Sequence, residues 1–167
     1  SDYLNSIPGK SFVIDWCYSY ADAITHIRDA KHDIYLVDYR LGAKTGIDVI
    51  KEAVAMQCRE PIILLTGKGD VKIDMEAMEH GAFDYLLKAD LNSEKLERSI
   101  RYAIDRAANL KALTANEKKY RNIFDNSKDA VFVTDENFFF TEVNYAFCDL
   151  MLCNRHSLLQ MRLDDLL

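Results

Sequence analysis

Apolar and polar positions follow two alternating rhythms along the first two-thirds of the chain. The runs Asp33–Asp38, Pro61–Thr66 and Phe83–Lys88 are short, apolar in the middle and closed by a polar residue. Such runs predict parallel strands covered on both faces. Segments of helical period lie between them. A helix is predicted over about Tyr20–Ala30, with Ala23, Ile24 and Ile27 inward and Ser19 as cap, Asp22 lying three residues on. Ile47, Ile50, Ala53 and Val54 mark a second helix, with Asp48 in its first turn. Ile73, Met75, Ala77 and Met78 mark a third, over about Val71–His80, closed by Gly81. Upstream, Ser11–Cys17 is rich in Phe, Val, Ile and Trp and predicts a further strand. Tyr3, Leu4 and Ile7 have the spacing of a helix that Gly9-Lys10 breaks. Strands alternating with helices predict an α/β fold with a doubly wound parallel sheet.

From Ser93 the pattern becomes one long helix, with Ser93 as N-cap and Glu94 and Glu97 near its start. Leu96, Ile100, Ala103, Ala107, Leu110 and Leu113 recur at spacings of four and three, close to a heptad seam. Periodicity leaves two readings open: a helix docking on the sheet, or a seam for a second copy. Beyond Ala107 no sheet is evident for it to dock on, which favours the seam there. The helix is predicted to end at Asn126. Ala130–Thr134 and Phe138–Val143 then read as a hairpin joined through Asp135-Glu136-Asn137, followed by short helices from Asn144 and His156.

Composition narrows the classes. Of 167 residues, 49% are hydrophobic and 29% charged, an ordinary globular balance. The formal net charge of -6 and the lack of a long Lys/Arg run argue against a nucleic-acid surface. Cys17, Cys58, Cys148 and Cys153 form no C-x-x-C pair, as expected for a reduced, cytoplasmic protein. No apolar run is long enough to span a bilayer, and no signal-peptide pattern is present.

Three parallel strands would deliver Asp38, Thr66 and Lys88 to one edge, and ligands of open α/β sheets gather outside the carboxyl ends of strands. Val37-Asp38-Tyr39-Arg40-Leu41, Gly46, Leu65-Thr66-Gly67, Gly81-Ala82 and Asp84-Tyr85-Leu86-Leu87-Lys88 resemble the receiver domain of two-component response regulators. The resemblance implies a flavodoxin-like sheet of order 2-1-3-4-5 whose first strand, and the acidic pair after it, are absent from this sequence. It implies that Asp38 is the phosphoacceptor, that Thr66 and Lys88 engage the phosphoryl oxygens, that Gly67 leaves room for the group, and that Tyr85 is an aromatic switch. It also implies Mg²⁺ held by Asp38 and the backbone carbonyl of Arg40, weakly without the acidic pair. The phosphodonor would be a histidine kinase or phosphotransfer protein. Receivers usually carry Pro after the lysine; here Ala89 follows Lys88.

Tyr120–Ser127, Ala130–Asp135 and Val143-Asn144 resemble the opening of a PAS sensor domain, of which about the first half is present. His156, Cys148 and Cys153 are assigned no cofactor, since a lone His or small thiol is more often structural. The expected organisation is a receiver over residues 1–92, a helical linker over 93–125 and a partial α+β PAS domain over 126–167. Comparable segments occur in hybrid sensor kinases and in regulators with diguanylate cyclase output; no output motif is present here, and any kinase or cyclase activity is expected to lie outside this chain. The expected function is a phosphorelay receiver coupled through the helix to a sensor module, as a homodimer with no nucleic-acid or membrane contact. The rival is a phosphorylation-independent, dimerising interaction module. A dehalogenase-type enzyme would want a second carboxylate two residues after Asp38, where Arg40 stands.

Overall fold

The structure, a computed structural model, describes residues 12–67 and 71–166. The helix end expected over Ser1–Pro8 and its break at Gly9-Lys10 lie outside the described residues. Two compact units divide the chain, residues 1–111 and 112–167.

In the first unit, β1 (Tyr35–Asp38), β4 (Ile62–Thr66) and β5 (Asp84–Leu87) form a parallel sheet in the order β1-β4-β5. A small antiparallel ribbon, β2 (Arg40–Leu41) with β3 (Lys44–Thr45), follows β1. Among the described residues the helices are α1 (Tyr20–Asp29), α2 (Gly46–Ala55), α3 (Val71–Glu79) and the start of α4 (Ser93–Asp125). Period two along β4 explains why both faces are covered. Ile62 and Leu64 enter one core with Ile24 and Ile27 of α1 and Ile47, Val49, Ile50 and Ala53 of α2. Ile63 enters the opposite core with Leu96, Ile100 and Ala103 of α4. The α/β, doubly wound expectation therefore holds, and the first half of the apolar seam is the docking face of α4. Each fully buried Ile or Leu contributes roughly 1.5–3 kcal/mol by area, an upper estimate.

Four local expectations are corrected. Residues 12–17 form no strand: they pair with no strand among the described residues, and Val13 and Trp16 are 93% and 59% exposed. A strand-like pattern without a ladder partner leaves its backbone groups to water; Phe12 alone packs partly beside α4. In α2 the inward position is Val49, whereas Val54 is exposed. Among the described side chains of α3 only Ala77 and Asp74 are buried, and Met75 and Met78 lie outside. The cap of α4 is Asn92, whose Oδ1 accepts from the Lys95 N–H at 2.8 Å, so Ser93 is already the first helical residue.

In the second unit, β6 (Phe132–Thr134) and β7 (Phe140–Val143) form the expected antiparallel hairpin, with an irregularity at Val133/Thr134. Asp135 closes the turn by accepting from the N–H groups of Asn137 and Phe139, both at 2.9 Å. Two short helices follow, α5 (Tyr145–Met151) and α6 (Arg155–Leu158), capped by Asn144 and Asn154. Phe140, Val143, Phe147 and Leu158 make the core, with Phe132 edge-on to Phe140 at 5.3 Å.

Candidate functional site

The polar residues that close the three strands meet because the strands are parallel and in register. Asp38 stands opposite Leu65, and Thr66 opposite Leu87, so Asp38, Thr66 and Lys88 lie at neighbouring carboxyl ends. Lys88 Nζ is 2.5 Å from Asp38 Oδ2. The two side chains are 45% and 39% exposed, whereas Thr66 is buried. The edge thus passes from a wet carboxylate–ammonium pair to a dry hydroxyl residue within one strand spacing.

Local structure sets this geometry. The Arg40 N–H reaches back to Asp38 Oδ1 at 3.3 Å, and the Gly46 N–H donates to the Tyr39 carbonyl at 2.8 Å. A Cβ at Gly46 would stand 2.5 Å from the Asp38 carbonyl oxygen and 2.6 Å from Leu64 Cδ1, so only glycine lets α2 begin this close to β1. A capping box fixes that start: Thr45 accepts from the Asp48 N–H, and Asp48 accepts from the Thr45 N–H at 2.8 Å. That backbone hydrogen bond, joined by the Thr45 hydroxyl, holds the Asp48 carboxyl below the usual carboxylate range. On the other flank, Lys88 opens a 3₁₀ turn, Lys88–Asp90, that leads into α4. The Ser99 hydroxyl on α4 donates to Asp84, tying that helix to the strand that carries Lys88.

Sequence reasoning named Asp38, Thr66 and Lys88, and the structure brings them to one edge. Tyr85 pairs opposite Leu64 on β5 and is 36% exposed. Gly67 has open space where a Cβ would point. No cis peptide occurs among the described residues, so Lys88-Ala89 turns without one. For Mg²⁺, the described residues here offer the Asp38 carboxylate and the Arg40 carbonyl; the three-residue cluster of metal-binding side chains found among them lies elsewhere. One carboxylate, already paired with an ammonium, is a poor match for an ion that gives up its hydration shell reluctantly. The roles of Gly46, Asn92 and Ser99 were not foreseen, because each depends on a contact distant in sequence or on a cap shifted by one residue.

Residues 3–101 match the response regulator receiver domain family, and residues 118–166 match the PAS domain family. A transcriptional regulatory protein ZraR from Salmonella typhimurium is 31% identical over 110 residues, 64% of this chain and 25% of its own length. A regulatory protein LuxO from Vibrio vulnificus is 33% identical over 109 residues, 64% of this chain and 24% of its own length. Among solved structures, the receiver domain of a LuxO repressor protein from Vibrio parahaemolyticus superposes with a TM-score of 0.58 at 26% identity, covering 68% of this chain and 83% of that one. The receiver domain of a modulated diguanylate cyclase from Desulfovibrio desulfuricans gives 0.54 at 30% identity, covering 64% and 82%. The chain spans about a quarter of the length of these curated relatives. The class is that of two-component signalling proteins: the chain belongs to the response regulator receiver family and carries a PAS segment after its receiver.

Proposed function

We propose that this chain accepts a phosphoryl group on Asp38 and passes the change through α4 to the PAS segment. The observation that carries the proposal is the 2.5 Å approach of Lys88 Nζ to Asp38 Oδ2 at the carboxyl edge of the sheet. Phosphoryl transfer is largely positioning and charge stabilisation. An Asp38 carboxylate oxygen attacks phosphorus, the bond from phosphorus to the donor's leaving group breaks, and an acyl phosphate results. Lys88 then faces the new dianionic group, and Thr66 would donate to it. Tyr85 is the side chain whose packing would respond. The donor is a histidine kinase or a phosphotransfer protein.

In this reading residues 1–92 form the receiver, 93–125 the last receiver helix and its extension, and 126–167 the PAS segment. Leu96, Ile100 and Ala103 are used in docking, while Leu110 and Leu113 are 49% and 67% exposed and available to a second copy. Mg²⁺ would assist by offsetting charge, with Asp38 and the Arg40 carbonyl as ligands; the sparse donor set predicts weak binding and slow transfer. That same sparseness favours one rival, a dimerising module that works without phosphate. Incubation with a small phosphodonor and Mg²⁺ separates them: an acid-stable, base-labile label lost in Asp38→Asn supports acceptance, and an equal label in that variant refutes it.

A further inference from the structure

At the amino end of β1, opposite the end that carries Asp38, three metal-binding side chains converge. They are Asp15, His26 on α1 and His32 in the loop before β1. One donor atom of each lies within 4.8 Å of the other two, and His32 Nε2 is 2.8 Å from Asp15 Oδ2. The imidazole centroids of His26 and His32 are 5.3 Å apart, with the planes inclined by 35°. Both histidines are half-buried, and Asp15 is exposed.

The setting organises this group. The Tyr35 hydroxyl donates to the His26 carbonyl at 3.1 Å, and the Tyr35 ring packs edge-on against His32 at 5.6 Å. His32 Nδ1 is buried without a hydrogen-bond partner among the described residues. The ring's hydrogen bond therefore runs through Nε2 into the cluster, not to the backbone.

We propose that Asp15, His26 and His32 form a site for a borderline divalent transition cation of the Zn²⁺ class. Two imidazoles and a carboxylate select such an ion over Mg²⁺ or Ca²⁺, which prefer all-oxygen shells. The fourth tetrahedral position falls to water. With bonds of about 2.0–2.1 Å, tetrahedral donors lie roughly 3.3 Å apart, so the donors, now within 4.8 Å of one another, must re-space modestly, the 2.8 Å contact of His32 with Asp15 opening as they do. Asp15 can supply that movement, since it is exposed and sits on an irregular segment. The ion would fasten residues 12–18, which lack a sheet partner, to α1 and to the loop before β1. Cys17 is near in sequence but outside the cluster.

The test is titration of the full chain with Zn²⁺ alone, followed by thermal unfolding, and with Co²⁺ alone, followed by visible absorption. The expected result is a rise in melting temperature with Zn²⁺ and a tetrahedral Co²⁺ spectrum without a thiolate charge-transfer band. His26→Gln and His32→Gln should weaken binding by at least about tenfold, the loss that removal of mere supporting groups already causes. Asp15→Asn, at an exposed position that cannot unfold the core, should weaken it as well, while Cys17→Ser should not. Absence of binding, a thiolate band that vanishes in Cys17→Ser, or equal affinity in Asp15→Asn and the parent would each overturn the proposal.

Discussion

Lys88 reaches Asp38 across 50 residues of sequence, and the strand that ends in the buried Thr66 runs between β1, which ends on Asp38, and β5, which Lys88 follows. Both partners are well exposed, so the pair itself adds only about 0–1 kcal/mol to stability. Its value is positional. Lys88→Ala should leave the denaturation midpoint nearly unchanged and permit labelling of Asp38, yet uncouple the label from any downstream response. Asp38→Asn should take up no label at all. Radiolabel incorporation beside chemical denaturation checks both.

Gly46 makes a sharper demand on stability. Its missing side chain lets the start of α2 lie against the Asp38 carbonyl, and a methyl group would meet that backbone as well as the Leu64 side chain. Gly46→Ala should therefore destabilise the receiver by about 1–3 kcal/mol and disturb the acceptor loop. Urea unfolding measures the first effect, and slower phosphoryl uptake would report the second.

The Thr45/Asp48 box gives a pH signature. Asp48 titrates below its ordinary value of 3.8 in the folded state. Its stabilising contribution is therefore fully present above the unfolded pKa and is lost as pH falls through the folded one. The stability gap between the parent and Asp48→Asn should be constant near neutrality and close below pH 3.8. Thr45→Ala, which removes the other half of the box, should cost about 1 kcal/mol at neutral pH. Denaturation curves recorded along an acid series test both statements.

Leu110 and Leu113 lie beyond the part of α4 that the sheet covers. If they join two copies, Leu110→Glu should convert a dimer to a monomer with the receiver's melting temperature unchanged. Sedimentation of the full chain decides the matter. A variant that stays dimeric, or a parent already monomeric at high concentration, makes this stretch a spacer.

The meeting of Asp38, Thr66 and Lys88 at one edge was legible because each apolar run stops on a different polar residue, and parallel pairing aligns the stops. The helices were legible as helices, but their faces were less so. Val49 and Val54 are equally apolar, and only the tertiary contact decides that the first is buried and the second flanks Gly81. Residues 12–17 have the composition of a strand, yet a strand exists only with a partner, and composition does not supply one. Asn92 and Ser93 are both good caps, so a one-residue shift was invisible. Asp15 and His32 are 17 residues apart, with nothing in their spacing to link them.

Asn144 is fully buried, and its amide meets the chain on four sides. Its oxygen accepts from the Val131 and Phe147 N–H groups, and its nitrogen donates to the carbonyls of Phe124 and Asp129. Aspartate would keep the two acceptor bonds but turn a carboxylate oxygen toward two carbonyls. Leucine would match the volume and strand all four backbone groups. Glutamine has the chemistry but an extra methylene in a packed core. Position 144 therefore spells a one-letter alphabet: any drift in sequence there must be answered by simultaneous change at the end of α4, the loop before β6 and the start of α5.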